Sequence, residues 1–316
     1  MRIVFAGSPD IAVPTLEALA EEFEVVGVLT NPDRRKGRSK KLLPTEVKSK
    51  ALELGLPVFQ YDHLYGEART AIAALEPDIL ISFAFGKIFG PKFLALFPEG
   101  GVNVHPSLLP LHRGATPIPA AILAGDPVTG ITVQKISLKM DEGDILDTIS
   151  FPLDGSETTE SLSTDVSVKS PKLLCDVIRT IERDTAIPLK QDDTHASYCS
   201  FMQKSDAEID WNSSATQISG MVRGYYPWPK AFTRFQGKVL MLTYAREITE
   251  EISEISIASD TQVGTVLGTV AKQGILITTG KGIVSVERLQ LQSKKELDWK
   301  AFMNGNPSLI GSVLGE

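Results

Sequence analysis

A chain of 316 residues, 42% apolar and 22% charged, is long enough for two domains with cores of their own and has the balance of an ordinary globular protein. Its net charge of −7 argues against a general nucleic-acid binder, and two cysteines, Cys175 and Cys199, exclude a disulfide framework. No apolar run approaches the ~20 residues of a membrane span, and the opening Met1-Arg2-Ile3-Val4-Phe5-Ala6 reads as a strand and not a signal peptide, so a cytoplasmic protein is expected.

The first 150 residues alternate strand and helix. Residues 2–6 form an apolar strand, and Gly7-Ser8-Pro9-Asp10 turns into a helix to about residue 21, with Ser8 as its cap and Pro9 in its first position. A strand over 24–29 follows. Residues 34–41 then bring six cations and no acid, which suits either a local phosphate contact or a solvated loop. Helices are expected over 44–54, 68–75, 116–124 and, for the most part, 86–97; strands over 56–59, 78–82, 101–105 and 129–136. This rhythm predicts a mostly parallel sheet covered on both faces, with ligands beyond the strand C-termini. The turn at Gly7 lacks the G-x-G-x-x-G of a dinucleotide site.

Residues 160–183 read as one long helix that Pro171 kinks or interrupts, and polar residues 184–206 read as a linker. The chain then changes character. A helix over 213–222 precedes five short strands, 231–235, 239–245, 264–270, 274–278 and 283–291, with a closing helix over 297–303. Five short strands in that space suggest a small OB-like barrel. The residues from 201 on carry 12 Lys/Arg and 12 Asp/Glu, so the acidic excess belongs to the first two hundred.

The chemistry concentrates where the strand over 101–105 ends. Alternate side chains of a strand share a face, so Asn103 and His105 point one way and Val102 and Val104 the other. An imidazole can move a proton near neutral pH, and an amide N–H can meet a developing oxyanion. A carboxylate would hold the imidazole, and Asp141, Glu142 and Asp144 are three candidates that spacing does not separate. No Ser or Cys nucleophile motif and no metal-ligand cluster accompanies them, which favours direct acyl transfer between two bound substrates. Ser107, Leu108, Leu109 and Pro110 would shape a wall for a flat heterocycle. His112-Arg113-Gly114 could contact anions or face water. His63 and His195 lie in polar segments apart from this chemistry, and Cys175 sits on an apolar helix stripe as a core residue.

Asn103-Val104-His105, the Ser-Leu-Leu-Pro stretch of residues 107–110 and Asp141-Glu142-Gly143 resemble, in order and spacing, the signatures of the formyltetrahydrofolate-dependent formyltransferases. The resemblance selects Asp141 among the acids. It implies an α/β fold: a Rossmann-like, mostly parallel catalytic domain over 1–184, a linker over 185–206, and an OB-like tRNA-binding barrel over 207–316. It spans nearly the whole chain, through the basic segment 31–44, Glu208-Ile209-Asp210-Trp211 and the Tyr-Tyr-Pro-Trp-Pro stretch of residues 225–229, in the manner of members that act on initiator methionyl-tRNA.

The formyl group of 10-formyltetrahydrofolate would then pass to the methionyl α-amine through a tetrahedral intermediate. Asn103 and His105 would stabilise its oxyanion, His105 would help deliver a proton to the departing N10, and Asp141 would orient His105. Residues 107–110 with Phe85 and Gly86 would line the folate pocket. Arg35, Arg38, Lys40 and Lys41 would engage the acceptor stem, with Lys204 as a further tRNA contact. No metal is implied, and a monomer is expected. Three residues depart from the family pattern. Phe85 stands where relatives commonly have Tyr, which removes a hydroxyl. Phe201 stands where a lysine is frequent, and Pro106 stands where small residues are also found. A sugar-amine or small-metabolite formyltransferase, or a formyl hydrolase of the same fold, is the nearest alternative, although six cations on one loop do not suit a sugar nucleotide. An RNA-binding module with an inert catalytic domain is a second, against which the intact Asn103, His105 and Asp141 speak.

Overall fold

A computed structural model describes residues 1–35, 42–249, 258 and 260–315. It divides into two compact units. The first comprises Met1–Pro117, Val128–Pro152 and Ser163–Ser200; the second comprises Ile118–Pro127, Leu153–Leu162 and Phe201–Glu316. Most of the expected linker, up to Ser200, is thus part of the first unit.

In chain order the first unit begins with β1 (Arg2–Gly7), α1 (Val13–Glu22), β2 (Glu24–Thr30), a hairpin of β3 (Arg34–Arg35) and β4 (Leu42–Leu43), α2 (Glu46–Glu53), β5 (Val58–Gln60), α3 (Glu67–Ala73) and β6 (Ile79–Phe83). It continues with α4 (Pro91–Leu94), β7 (Gly101–His105) and β8 (Arg113–Gly114). Helix α5 (Pro117–Ala124) leads to β9 (Val128–Lys135), β10 (Ile145–Pro152), the long α6 (Thr159–Glu182) and β11 (Tyr198–Cys199). The sheet order is β10-β9-β7-β6-β1-β2-β5. Strands β7, β6, β1, β2 and β5 run parallel, and β9 and β10 are antiparallel additions at one edge. Residues Ile3 to Gly7 and the whole of β6 are buried, which is why they read as continuous apolar runs. Strand order reverses about β1, so the C-termini of β1, β6 and β7 frame the crevice.

Four expectations change. Strand β10 has no counterpart among the predicted elements: it is an edge strand whose exposed polar positions hide its period. The helix expected over 86–97 shrinks to α4: Gly86 takes φ +76°, and Gly90 is extended ahead of Pro91, which opens the helix. Rings stack along this stretch, Phe85 on Phe89 at 5.4 Å and Phe89 on Phe93 at 5.7 Å. Ser8 caps no helix; α1 starts at Val13 with Pro14 in its first turn, and the Ser8 hydroxyl accepts from Asn31 Nδ2 at 2.8 Å. Helix α6 continues through Pro171 without interruption.

In the second unit α7 (Ala215–Gly224) is followed by β12 (Phe232–Phe235), β13 (Lys238–Ile248), β14 (Val266–Val270), β15 (Gly274–Thr278), β16 (Ile283–Leu291), β17 (Leu297–Asp298) and α8 (Trp299–Gly305). These strands form one antiparallel sheet in the order β12-β13-β16-β15-β14, with β17 beside β16. Ser214 and Gln217 form a reciprocal capping box at the start of α7. Among the described residues, no helix is long and apolar enough to cross a membrane.

Candidate active site

The site lies within the first unit. Strand β7 places Asn103 in register with Gln134 of β9, and His105 with Thr132. Asn103 is half-buried, and among the described residues its side-chain amide has no hydrogen-bond partner. His105 is buried, at 3% exposure. Its Nε2 lies 3.0 Å from the His112 carbonyl oxygen. A carbonyl only accepts, so Nε2 carries a proton. Its Nδ1 faces Asp141 Oδ1 at 3.5 Å, longer than a formed hydrogen bond. Burial pushes the imidazole below its ordinary value of 6.5, against the Asp141 charge and the His112 carbonyl, which favour the charged ring.

The structure thus brings Asp141 to His105 and leaves the other two acids elsewhere. Glu142 pairs with Lys139 at 3.2 Å, and Asp144 offers its backbone carbonyl to Lys135 N–H. Asp141 sits in a tight turn with φ +56°. Its Oδ2 accepts from Gly114 N–H at 2.9 Å and its Oδ1 from Gln134 Nε2 at 2.8 Å. Two glycines allow this approach. A Cβ on Gly143 would lie 1.7 Å from the Lys135 carbonyl oxygen, and one on Gly114 2.0 Å from that of Cys199.

Residues 107–110 are pinned to β9 by one hydroxyl. Thr132 Oγ1 donates to the Ser107 carbonyl at 2.7 Å and accepts from Leu109 N–H at 3.2 Å. Ser107 Oγ donates to the Leu111 carbonyl at 2.6 Å, and Leu108 fills the space that a side chain on Gly130 would take. Pro110 offers its carbonyl to Ser197 N–H. Much of this backbone is already engaged, which leaves the loop an apolar wall more than a source of backbone contacts. Phe85 is buried among Phe89, Phe93 and Phe97, while Gly86 is exposed at the β6 exit. The Phe85 carbonyl accepts from Asn31 Nδ2 at 2.7 Å.

Polar residues that local pattern does not mark complete the site. Arg113 is 1% exposed and does not face water. It donates through Nε and Nη2 to Gln191 Oε1, at 3.0 and 2.8 Å, and through Nη2 to Asp193 at 2.6 Å. Gln191 Nε2 donates in turn to the carbonyls of Asp141 and Gly143, at 2.8 and 2.7 Å. Gln191 falls in the stretch whose polarity suggests a linker, and no motif or spacing in the sequence marks it. Among the expected tRNA contacts, Arg35 is exposed on the β3–β4 hairpin, Lys204 is exposed in the second unit, and Arg38, Lys40 and Lys41 lie outside the described residues. His63 stacks on Tyr65, and His195 pairs with Asp192 on the surface.

A mostly parallel α/β sheet with an imidazole, a carboxylate and an amide that has no partner among the described residues, gathered at one strand end, has the groups that acyl transfer calls for. A family model described as Formyl transferase matches residues 1–178, and one described as Formyl transferase, C-terminal domain, matches residues 202–307. The chain belongs to the formyl transferase family. It is 43% identical over 318 residues to a methionyl-tRNA formyltransferase of Treponema denticola, with 98% of each chain covered. It is 36% identical over 313 residues to one of Borreliella burgdorferi, covering 99% of this chain and 98% of that one. A sugar 3N-formyl transferase crystallised in the presence of dTDP and 5-N-formyl-THF has the same fold, with TM-score 0.67, 19% identity, and 93% of this chain and 99% of that chain covered.

Proposed function

We infer that this chain transfers the formyl group of 10-formyltetrahydrofolate to the α-amine of initiator methionyl-tRNA. The observation that carries the reading is identity to methionyl-tRNA formyltransferases across both units, at 43% over 98% of the chain. The residues fit the donor. An amide free of partners lies on the same strand face as His105, and an apolar wall of Leu108, Leu109 and Pro110 follows it. The bound folate supplies an activated formyl carbon.

The chain's own groups do the rest. Asn103 donates its N–H to the oxygen that gains charge as the amine adds. His105 keeps its Nε2 proton on the His112 carbonyl; the amine's proton is taken up between His105 Nδ1 and the facing Asp141 Oδ1 and returned to the departing nitrogen, and the ring so charged stabilises the oxyanion with Asn103. Asp141 favours the charged ring while that proton is held. Phe85 and Gly86 bound the folate side. Arg35, Arg38, Lys40 and Lys41 engage the acceptor stem, and Lys204 adds a contact from the second unit.

In this reading residues 1–184 form the catalytic domain and residues 207–316 an OB-like tRNA-binding domain, joined over 185–206. The C-terminal residues support a barrel. Gly315 N–H donates to the Arg234 carbonyl on β12, while Gly311 N–H and the Ser312 carbonyl pair with Val266 on β14, so one segment touches both edge strands. The protein works as a cytoplasmic monomer. The test is formylation of charged initiator tRNA by the purified chain with 10-formyltetrahydrofolate. Formylmethionyl-tRNA is expected. Transfer to an amino sugar with none to tRNA would replace this reading with the sugar-amine one.

A further inference from the structure

The neutral His105 ring does not hold Asp141 by itself. With Nε2–H given to the His112 carbonyl, a neutral ring turns the Nδ1 lone pair toward Asp141 Oδ1, 3.5 Å away. Two acceptors do not attract, and the terminal torsion of an aspartate is broad. Something else must aim that oxygen. Gly114 N–H anchors Oδ2, and among the described residues the side chain that donates to Oδ1 is Gln134, at 2.8 Å.

Gln134 is held in that orientation. It is 2% exposed and lies on β9 two residues beyond Thr132, which pins residues 107–109, so one strand face positions the loop after His105 and the acid beside it. Gln191 Oε1 accepts two bonds from the Arg113 guanidinium, which has only donors, so Gln191 Nε2 faces the other way. That nitrogen donates to the Asp141 and Gly143 carbonyls and lies 3.3 Å from Gln134 Oε1. With its oxygen turned toward Gln191, Gln134 points its own N–H at Asp141. Donors therefore run in one direction, from Arg113 through Gln191 and Gln134 to the carboxylate.

We propose that Gln134 is a positioning residue for formyl transfer, holding Asp141 Oδ1 against His105 Nδ1, with Arg113 and Gln191 fixing Gln134 as a donor. This rests on the formyl-transfer reading above. It separates two jobs at the acid: Gly114 fixes where the carboxylate sits, and Gln134 fixes where it points.

The experiment compares Gln134→Met, which keeps length and loses the donor, with the parent chain, each in the presence and absence of Asp141→Asn. Steady-state kcat, KM for both substrates and the unfolding midpoint are read for all four. Gln134→Met is expected to lower kcat about 10-fold, the scale of a small misplacement in a reacting constellation. Both KM values should stay within twofold, and no further loss should appear beside Asp141→Asn, because the residue acts through that carboxylate. A kcat within twofold of the parent, a change confined to KM, or a loss that adds in full to that of Asp141→Asn would overturn the proposal. If Gln134→Met unfolds below assay temperature, Gln191→Met carries the test, since it removes the N–H that orients Gln134. The same kcat-only loss supports the proposal, and an unchanged kcat overturns it. An active parent with an unaffected variant overturns this inference alone; a parent that formylates no tRNA overturns the functional reading with it.

Discussion

At the scale of single residues, His105 is a compromise between burial and charge. Removal from water disfavours its imidazolium, while Asp141 and the His112 carbonyl favour it, and the balance leaves the ring below 6.5. Nδ1 must be unprotonated to accept the amine's proton. The rate therefore falls on the acid side, and that limb of kcat/KM is expected below pH 6.5. Asp141→Asn removes an influence that raises the pKa and leaves burial in place. Its limb should move to lower pH, with kcat down about 100-fold. A pH–rate profile of both proteins checks this, and a limb that moves upward would reverse the assigned roles. The Asn103/His105 pair was legible in the sequence because strand alternation assigns a face to each residue without reference to the rest of the chain. Spacing alone leaves Asp141, Glu142 and Asp144 equivalent; the family resemblance singles out Asp141, and in the structure it is the one beside His105, in a turn with φ +56°.

At the scale of elements, the site depends on how closely β7, β9 and the turn after β9 approach. Gly143 has no room for a side chain, since its Cβ would stand 1.7 Å from the Lys135 carbonyl. Gly143→Ala must push the turn off β9 and carry Asp141 with it. The expected cost is about 3 kcal/mol of stability together with loss of formyl transfer, read by denaturant unfolding and the tRNA assay. A variant of unchanged stability and activity would show that this turn is free to move. The parallel core strands were readable as apolar runs because both faces of the sheet are covered. Strand β10 was not, since an exposed edge leaves its residues free to be polar.

At the scale of the whole molecule, chain order and unit membership differ. Residues 118–127 and 153–162 belong with the C-terminal sheet, although they precede it in the chain by dozens of residues and interrupt the first unit. Within that second unit, a Cβ on Gly224 of α7 would lie 2.9 Å from the Leu123 side chain, so Leu123 of α5 packs directly on the α7 backbone. The charge distribution also belongs to this scale. A protein of net charge −7 repels an acidic polymer except where cations concentrate, and residues 34–41 hold six of them. Replacing Arg38 and Lys40 with alanine is expected to raise KM for tRNA and reduce the slope of log KM against log salt by about 2, with KM for the folate unchanged. Equal loss toward both substrates would make the segment structural.

The βαβ order, the shared face of Asn103 and His105, the choice of Asp141 and the family can all be read from the unfolded chain. Each of these is written in local periodicity or in short motifs of fixed spacing. The buried amides that hold Asp141 emerge only once the chain is folded. Gln134, Gln191 and Arg113 become neighbours across separations of up to 78 residues. Sheet order and the return of residues 185–200 along the first unit bring them together. No local pattern distinguishes a polar residue that will be buried and fully bonded from one that will face water.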